Sequence, residues 1–252
     1  MKKVLVTGAA SGIGKGIAEF LAGKGHHLII TDIDLSQAQE VAQSICDAGQ
    51  SAQAINLNVT SQVDVDKAAK QLNGQLDVLI NNAGVQHVAA LDSFPMDKWE
   101  FLTQVMLVGV ARLTQAFLPG MKAQNYGRII NIGSIHALVA SPYKTAYIAA
   151  KHGLLGLSKS LSLEVAANNI TINTLCPAYV KTPLVEKQIA AQAQEHGITE
   201  QEVVNNIMLE PMPKKSFIEI DELAGTCDFL LSDYAKNITA QAIALDGGWT
   251  AR

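Results

Sequence analysis

Short apolar runs alternate along the chain with longer segments in which apolar residues recur every three or four positions. The short runs are rich in Val and Ile and are apolar on both faces, as in strands of a parallel sheet that is covered on both sides. We predict seven strands, at residues 3–6, 28–31, 54–57, 78–80, 128–132, 171–175 and 242–245. We predict helices between them at residues 14–22, 36–48, 61–72, 99–123, 144–167 and 221–231.

This alternation continues from one end of the sequence to the other without a linker, a repeat or a low-complexity tract. We therefore predict an α/β fold in which residues 1–252 form a single doubly wound Rossmann domain with a seven-stranded parallel sheet. One long excursion, about residues 183–216, follows the sixth strand and contains two helix-like pieces. Thr199 and Glu202 form the capping box that opens the second piece. Such an insertion is typical of a helical lid over a substrate site.

Composition narrows the possible functions. The 252 residues are 48% hydrophobic and 17% charged, which favours one large buried core. The net charge of -4 and the scattered Lys and Arg residues provide no basic face for a nucleic acid. Arg112 interrupts the most apolar stretch, and the first residues do not resemble a signal peptide, so we expect a cytoplasmic protein without a membrane segment. The three cysteines lack metal-ligand spacing, and no metal site is predicted.

A glycine-rich turn, Thr-Gly-Ala-Ala-Ser-Gly-Ile-Gly, stands between the first strand and the first helix. Gly8, Gly12 and Gly14 would allow a tight turn in which backbone N–H groups approach a pyrophosphate. Asp32 ends the second strand, where a carboxylate accepts hydrogen bonds from ribose hydroxyls and repels a 2′-phosphate. No Lys or Arg follows closely, and Ser11 occupies a turn position where a basic side chain could have met that phosphate. These residues predict NAD as the cofactor, not NADP.

Tyr147 and Lys151 are four residues apart in a predicted helix, so their side chains share one face. A positive charge beside a phenol favours the phenolate, and we expect Lys151 to lower the pKa of Tyr147 and make it a proton carrier. A Tyr-x-x-x-Lys spacing is weak evidence by itself. It gains weight from Ser134, which follows the fifth strand.

Together with Asn-Asn-Ala-Gly at residues 81–84 and Pro-Ala-Tyr-Val-Lys-Thr at 177–182, these motifs resemble the short-chain dehydrogenase/reductase family over essentially the whole chain. The resemblance implies that Tyr147 is the catalytic acid and base and that Ser134 hydrogen-bonds the reacting oxygen. It implies that Lys151 tunes the phenol and binds the nicotinamide ribose. The implied NAD contacts are Gly8, Ser11, Gly12, Ile13, Gly14, Asp32, Asn58, Val59, Asn82, Ala83, Gly84, Tyr147, Lys151, Pro177, Val180 and Thr182.

The resemblance extends to a subgroup of that family that oxidises a short hydroxy acid to a keto acid. In that subgroup the residues matching Gln86, His136 and Lys144 hold the substrate carboxylate beside Ser134 and Tyr147. A lysine, an imidazole and an amide around one small space also provide the donors that a carboxylate requires. Family members form tetramers, and the long helices predicted at 99–123 and 144–167 carry enough apolar residues to make a homotetramer the expected assembly.

Two positions depart from the family pattern, and one departs from the pattern of the subgroup. Met106 stands where members generally carry an asparagine that supports a water chain from the lysine. Asn58 stands where an aspartate often lies near the adenine. No glutamine occurs near Met212, where the lid commonly contributes one, which leaves the polar contact of the lid open.

Two other functions remain open from the residues alone. A reductase of larger 3-oxoacyl or steroid substrates would share the same catalytic residues, although Gln86, His136 and Lys144 make its pocket unusually polar. A non-catalytic module that senses NAD would share the fold. The joint presence of Ser134, Tyr147 and Lys151 argues against such a module.

Overall fold

The computed structural model describes residues 1–251, with only the backbone described at positions 183 and 184. Its sheet is parallel throughout and has the strand order β3-β2-β1-β4-β5-β6-β7. The strands are β1 (Lys3–Thr7), β2 (His27–Asp32), β3 (Ser51–Asn56), β4 (Val78–Asn81), β5 (Gly127–Ile132), β6 (Ile170–Pro177) and β7 (Ala242–Leu245). The predicted seven-stranded doubly wound α/β domain is confirmed.

Helices cover both faces of the sheet. The helices are α1 (Gly12–Gly23), α2 (Leu35–Asp47), α3 (Gln62–Gln71), α4 (Met96–Thr103), α5 (Gly109–Ala123), α6 (Thr145–Glu164), α7 (Pro183–His196), α8 (Glu200–Val203) and α9 (Ile220–Leu231). Buried side chains of α1, α2 and α9 form one core against the sheet. Those of α3, α5 and α6 form a second core on the other face. The strands are therefore apolar on both sides, as their sequences indicate.

The predicted helix 99–123 is real but is interrupted. A π-turn at Gln104–Val108 joins α4 to α5. Gly109 follows this turn, and a Cβ there would lie 3.0 Å from the carbonyl oxygen of Val59. A side chain there would force its neighbours to shift by a few tenths of an ångström, so glycine suits this close approach of the helix to the loop after β3. By length and composition the run Met96–Ala123 could cross a membrane, but many of its apolar residues, such as Leu113 and Phe117, are buried in the core.

The strand order reverses beside β1, which lies between β2 and β4. At such a switch point the connections on the two sides diverge and leave a crevice at the carboxyl ends of the strands, where doubly wound proteins bind ligands. The glycine turn, Asp32 and Ser134 all follow the carboxyl end of a strand. The fold therefore brings these distant residues to one edge of the sheet.

The excursion after β6 is helical, as predicted. It contains α7, α8 and a π-turn at Val204–Met208, and Thr199 and Glu202 form the capping box at the start of α8. Ile189, Val203 and Met208 form a small core of its own. A backbone hydrogen bond of 3.0 Å from Lys214 to Gly247 ties its far end to the segment after β7. We call residues 183–216 the lid.

Candidate active site

The glycine turn adopts a conformation that its glycines make possible. Gly8 and Gly12 have φ angles of +61° and +55°, in the left-handed region. A Cβ on Gly8 would lie 3.0 Å from the Cα of Ala83. A Cβ on Gly14 would lie 2.5 Å from the carbonyl oxygen of Gly8, so Gly14 allows α1 to start directly against the turn. Bare backbone is therefore presented where a pyrophosphate would approach the N-terminus of α1.

Asn82 holds this turn against the neighbouring strand. Its amide donates hydrogen bonds to the carbonyl oxygens of Thr7 and Gly8, at 2.9 and 3.0 Å. The hydroxyl of Thr7 accepts from the backbone N–H groups of Asn82 and Ala83, at 2.9 and 3.0 Å. The amide of Asn82 thus shapes the cofactor crevice through the turn.

A cavity of about 540 Å³ runs along the carboxyl ends of the strands. All the residues predicted to bind cofactor or substrate line it, except Gly14. They are Gly8, Ser11, Gly12, Ile13, Asp32, Asn58, Val59, Asn82, Ala83, Gly84, Gln86, Ser134, His136, Lys144, Tyr147, Lys151, Pro177, Val180 and Thr182. Gly14 is buried behind the turn and acts through packing.

The proposed catalytic residues lie where β5 and α6 face each other. Ser134 follows the end of β5, and its hydroxyl accepts a hydrogen bond of 3.1 Å from the backbone N–H of His136. Tyr147 and Lys151 lie one turn apart in α6, and the Lys151 ammonium is 5.6 Å from the centre of the Tyr147 ring. The same ammonium donates a 2.6 Å hydrogen bond to the carbonyl oxygen of Ile132. Lys151 is thereby fixed between the strand and the phenol.

The expected lowering of the Tyr147 pKa is wrong for the free protein. Burial raises the pKa of Tyr147 above its usual value, and the neighbouring Ser134 hydroxyl only partly opposes this. Burial also lowers the pKa of Lys151 to about 8, so this lysine is a weaker fixed charge than its sequence position suggests. Desolvation is the largest cause of both shifts, since burial disfavours the charged form of each group. In the free protein the protonated phenol is therefore favoured, and the group is ready to donate a proton.

A second polar group of residues lies beside Tyr147. The rings of His136 and Tyr147 meet edge to face with centres 6.4 Å apart. Buried atoms Nδ1 of His136 and Oε1 of Gln86 have no hydrogen-bond partner. No carboxylate of the described residues lies within 4.0 Å of the Lys144 ammonium, whose pKa is lowered by burial. A half-buried cation and two unpaired polar atoms therefore surround one space, and each lacks a partner that a ligand could supply.

Comparison with known proteins agrees with this arrangement. Residues 2–193 match the family model described as short chain dehydrogenase. The chain belongs to the short-chain dehydrogenase family.

Two curated relatives are named D-beta-hydroxybutyrate dehydrogenase, one from Rhizobium meliloti and one from Cupriavidus necator. Each is 40% identical over a 259-residue alignment that covers all of this chain and 99% or 98% of the relative. Family membership does not fix the substrate, however. The solved structure of sorbitol-6-phosphate 2-dehydrogenase SrlD from Erwinia amylovora, 28% identical, superposes with a TM-score of 0.92 over 98% of this chain and 99% of its own.

Sequence reasoning missed several residues of the cavity wall of this short-chain dehydrogenase, among them Trp249, Tyr179 and Gln188. Trp249 meets His136 edge to face at 6.0 Å and stacks on Tyr179 with ring centres 6.2 Å apart. Gln188 reaches the cavity from α7, so the lid does contribute a polar side chain. The sequence left the polar contact of the lid open, and Met212 itself is fully buried. The i, i+3 spacing of Val185 and Gln188 on a lid helix was the available signal for Gln188.

The buried His136 predicts a pH-dependent stability. Burial and the nearby Lys144 lower the pKa of His136 to about 4. Between about pH 6.5 and pH 4 the unfolded chain binds a proton that the folded chain does not, so the free energy of unfolding falls as the pH falls, by up to about 1.4 kcal/mol per pH unit. Urea denaturation of the wild type and of His136→Gln at pH 7, 6, 5 and 4.5 measures this.

The substitution should flatten the dependence, and the difference between the two proteins isolates His136 from His26 and His27. Their pKa values are also lowered by burial, and they add to the slope equally in both proteins. Parallel pH profiles of wild type and variant would contradict the assignment.

Proposed function

We propose that this short-chain dehydrogenase uses NAD to interconvert D-3-hydroxybutyrate and acetoacetate. The observation that carries the proposal is the Lys144 ammonium, which has no ion-pair partner among the described residues and lines the same cavity as His136, Gln86 and the proposed proton-transfer residue Tyr147. Partial removal of a cation from water without a counter-ion costs free energy, and a bound substrate carboxylate would offset that cost. The 40% identity to two D-beta-hydroxybutyrate dehydrogenases supports the same assignment.

The charges at this end of the cavity suit one carboxylate. Because the pKa of His136 is about 4, its imidazole is neutral near pH 7 and serves as a hydrogen-bond donor without charge. Lys144 then supplies the single positive charge. The Gln86 amide can rotate by 180° to present its NH2 group, and the amide of Gln188 faces the same cavity from the lid.

Aromatic surface beside these polar groups favours a short substrate. Trp249 and Tyr179 stack with an interplanar angle of 25° and line the cavity with aromatic surface. A methyl group fits against such a surface, whereas a long acyl chain would have to displace it. We therefore favour a four-carbon hydroxy acid over a larger 3-oxoacyl substrate.

The end of the cavity beside the glycine turn fits a dinucleotide. The turn at Gly8 and Gly12 leaves backbone without side chains, and the Asp32 carboxylate accepts N–H groups of Ala10 and Asp34, each at 3.2 Å, at the edge of the cavity. A bound NAD would supply the hydride acceptor. Pro177, Val180 and Thr182 line the cavity near Tyr147 and would border the nicotinamide.

Each proposed catalytic residue then has one task. The Tyr147 phenolate takes the proton of the 3-hydroxyl group while hydride leaves the carbon that carries this hydroxyl. The phenol returns the proton in the reverse reaction. The Ser134 hydroxyl stabilises the partial negative charge on that oxygen. Lys151 keeps a positive charge beside the phenolate. The polar groups around Lys144 fix which face of the substrate carbon is presented for transfer.

Formation of NADH from each enantiomer of 3-hydroxybutyrate tests the proposal. We expect turnover of the D enantiomer with kcat/KM at least about 100-fold above that of the L enantiomer, because the fixed carboxylate allows only one face to be used. The control substrates are uncharged alcohols of the same length and 3-hydroxyacyl thioesters. Faster turnover of a thioester or an uncharged alcohol than of D-3-hydroxybutyrate would contradict the proposed substrate.

Asp32 predicts the cofactor preference. We expect kcat/KM with NAD to exceed that with NADP by about 100-fold, because the carboxylate would repel a 2′-phosphate. Asp32→Ala should reduce this ratio to about tenfold or less. Asp34→Ala removes the same charge two residues further on, outside the cavity, and should leave the ratio unchanged. An Asp32→Ala enzyme with the wild-type ratio would exclude this role. The homotetramer and the cytoplasmic location stay predictions.

A further inference from the structure

The segment after β7 places Trp249 in the wall of the cavity beside the polar groups that are proposed to bind the substrate carboxylate. The indole meets His136 edge to face with ring centres 6.0 Å apart and stacks on Tyr179. Neither a strand nor an α-helix contains Trp249, because β7 ends at Leu245 and only a short helical turn at Trp249–Ala251 follows. The position of the indole therefore depends on the groups that hold this turn.

The carboxylate of Asp246 holds the turn on both sides of Trp249. Its Oδ1 accepts a hydrogen bond of 2.9 Å from the backbone N–H of Gly248. Its Oδ2 accepts hydrogen bonds from the backbone N–H of Thr250 at 2.8 Å and from the Thr250 hydroxyl at 2.6 Å. The residue before Trp249 and the residue after it are thus anchored to one side chain, which fixes the backbone that carries the indole.

The turn requires a carboxylate at position 246. Backbone N–H groups can only donate, and each oxygen of Asp246 faces one of them, so both oxygens must be acceptors. In an asparagine, one of these two atoms would be an NH2 group that faces a backbone N–H. Burial alone would raise the pKa of Asp246, but hydrogen bonds from Thr250 and Gly248 lower it below its usual value, so the group is ionised near neutral pH.

The hydrogen bonds to the turn are also what offsets the burial of this charge. Asp246 is only 9% exposed, and no Lys, Arg or His of the described residues lies within 4.0 Å of its carboxylate. A buried charge without a counter-ion costs free energy unless hydrogen bonds replace the water that it has lost. Asp246 does not itself line the cavity. Any effect that it has on a substrate must therefore be exerted through Trp249.

The far end of the lid supports the same turn. Gly247 has a φ angle of +58°, in the left-handed region, and a Cβ there would lie 3.1 Å from the terminal methyl group of Met212. The backbone N–H of Lys214 donates a 3.0 Å hydrogen bond to the carbonyl oxygen of Gly247. The turn that carries Trp249 is thus held by the Asp246 carboxylate from within and by the lid from outside.

We propose that Asp246 is a positioning residue that sets the length of substrate this enzyme accepts, because it fixes the Trp249 indole beside His136. A fixed indole excludes additional methylene groups, whereas an indole that can leave its place admits them at a lower cost. The inference rests on the proposed oxidation of a short hydroxy acid and adds the group that limits the length of that acid.

The preference for chain length tests this inference. The ratio of kcat/KM for D-3-hydroxyhexanoate to kcat/KM for D-3-hydroxybutyrate is measured with NAD for the wild type and for Asp246→Asn. We expect the variant to raise this ratio by about tenfold, which is the discrimination that one methylene group can produce in an apolar pocket.

The kinetic constants separate positioning of the substrate wall from a general loss of structure. In Asp246→Asn, KM for D-3-hydroxybutyrate should increase, while kcat should stay within about threefold and KM for NAD within about twofold of the wild type. The reason is that Trp249 is the one residue of the turn that lines the cavity, and it does so beside His136.

Fluorescence of Trp249 gives a readout that does not depend on turnover. The chain has two tryptophans, so Trp99→Phe leaves Trp249 as the single emitter. In this background, Asp246→Asn should increase the quenching constant for acrylamide by at least about twofold, because the released turn opens locally more often.

Asp233→Asn is the matched control. It removes the same charge from an exposed residue outside the cavity and should leave both the ratio and the quenching unchanged. Thr250→Val removes only the hydroxyl that donates to Asp246, so it should produce a smaller shift in the same direction and remains a test if Asp246→Asn does not fold. Thr250→Ser retains the hydroxyl and should match the wild type.

An unchanged ratio or unchanged quenching in folded Asp246→Asn would overturn the inference while the proposed function stands. If Thr250→Val is the only folded variant, the same results with that variant would overturn it. A wild-type enzyme that oxidises neither acid would overturn the proposed function and the inference together.

Discussion

Replacement of Tyr147 by phenylalanine should lower kcat for D-3-hydroxybutyrate oxidation by about a thousandfold, within the range that positioned proton transfer contributes. The variant retains the ring that packs at the edge of the core, and it loses only the hydroxyl that exchanges the proton. Stopped-flow or steady-state formation of NADH measures the loss. Thermal unfolding should show that the variant is folded, with stability changed by no more than about 1 kcal/mol.

Tyr143→Phe is the matched control. Tyr143 also carries a phenol and lies four residues earlier, but its side chain is 58% exposed and does not line the cavity. Activity of this variant should equal that of the wild type. Because burial raises the pKa of Tyr147, oxidation in the wild type should accelerate as the pH increases and more phenolate forms, whereas reduction should slow. A Tyr147→Phe enzyme with more than about a tenth of wild-type kcat would remove the phenol from the mechanism.

Replacement of Lys144 by alanine should raise KM for D-3-hydroxybutyrate by about 100-fold and leave KM for NAD within about twofold of wild type, since the loss of one partner of a shielded charge pair costs several kcal/mol. The physical reason is that Lys144 supplies the single positive charge beside His136 and Gln86. Initial rates with each substrate varied at saturating levels of the other separate the two KM values.

Lys187→Ala is the control for that experiment, because it removes an exposed lysine from the lid helix without changing the cavity wall. Its KM values should match those of the wild type. Screening by salt gives a further readout, since added salt weakens exposed charge pairs far more than enclosed ones. Equal increases of both KM values in Lys144→Ala would show that the lysine acts on the whole crevice and not on the carboxylate.

The sequence was sufficient for the features that depend on backbone periodicity. Apolar runs such as Val4 to Val6 and Ile129 to Ile132 can be buried on both faces only between two layers of helices. The sheet and the helices that cover it therefore follow from the pattern. The carboxyl ends of parallel strands share one edge, which brings Asp32 and Ser134 into one crevice although about a hundred residues separate them.

Properties that depend on the surroundings of a side chain could not be read from spacing. The four-residue interval between Tyr147 and Lys151 fixes their common face, but the depth at which α6 packs decides whether desolvation or attraction sets their pKa values. Gln188 lines the cavity because of the path of the lid, and Trp249 because of the path of the segment after β7. No local sequence pattern specifies either path. The orientation of the Asn58 amide depends on two hydrogen bonds that its Oδ1 accepts from Thr60.

The residues proposed to transfer the proton and some of the residues proposed to bind the carboxylate stand on different supports. Tyr147 and Lys151 are held by α6 against β5, whereas Gln86, Gln188 and Trp249 come from loops, the lid and the last segment. Exchange of these peripheral segments can alter which acid or alcohol is accepted while the geometry of hydride transfer stays in place. Because the two groups of residues lie largely on different elements, this chain is a suitable scaffold for directed changes of substrate specificity.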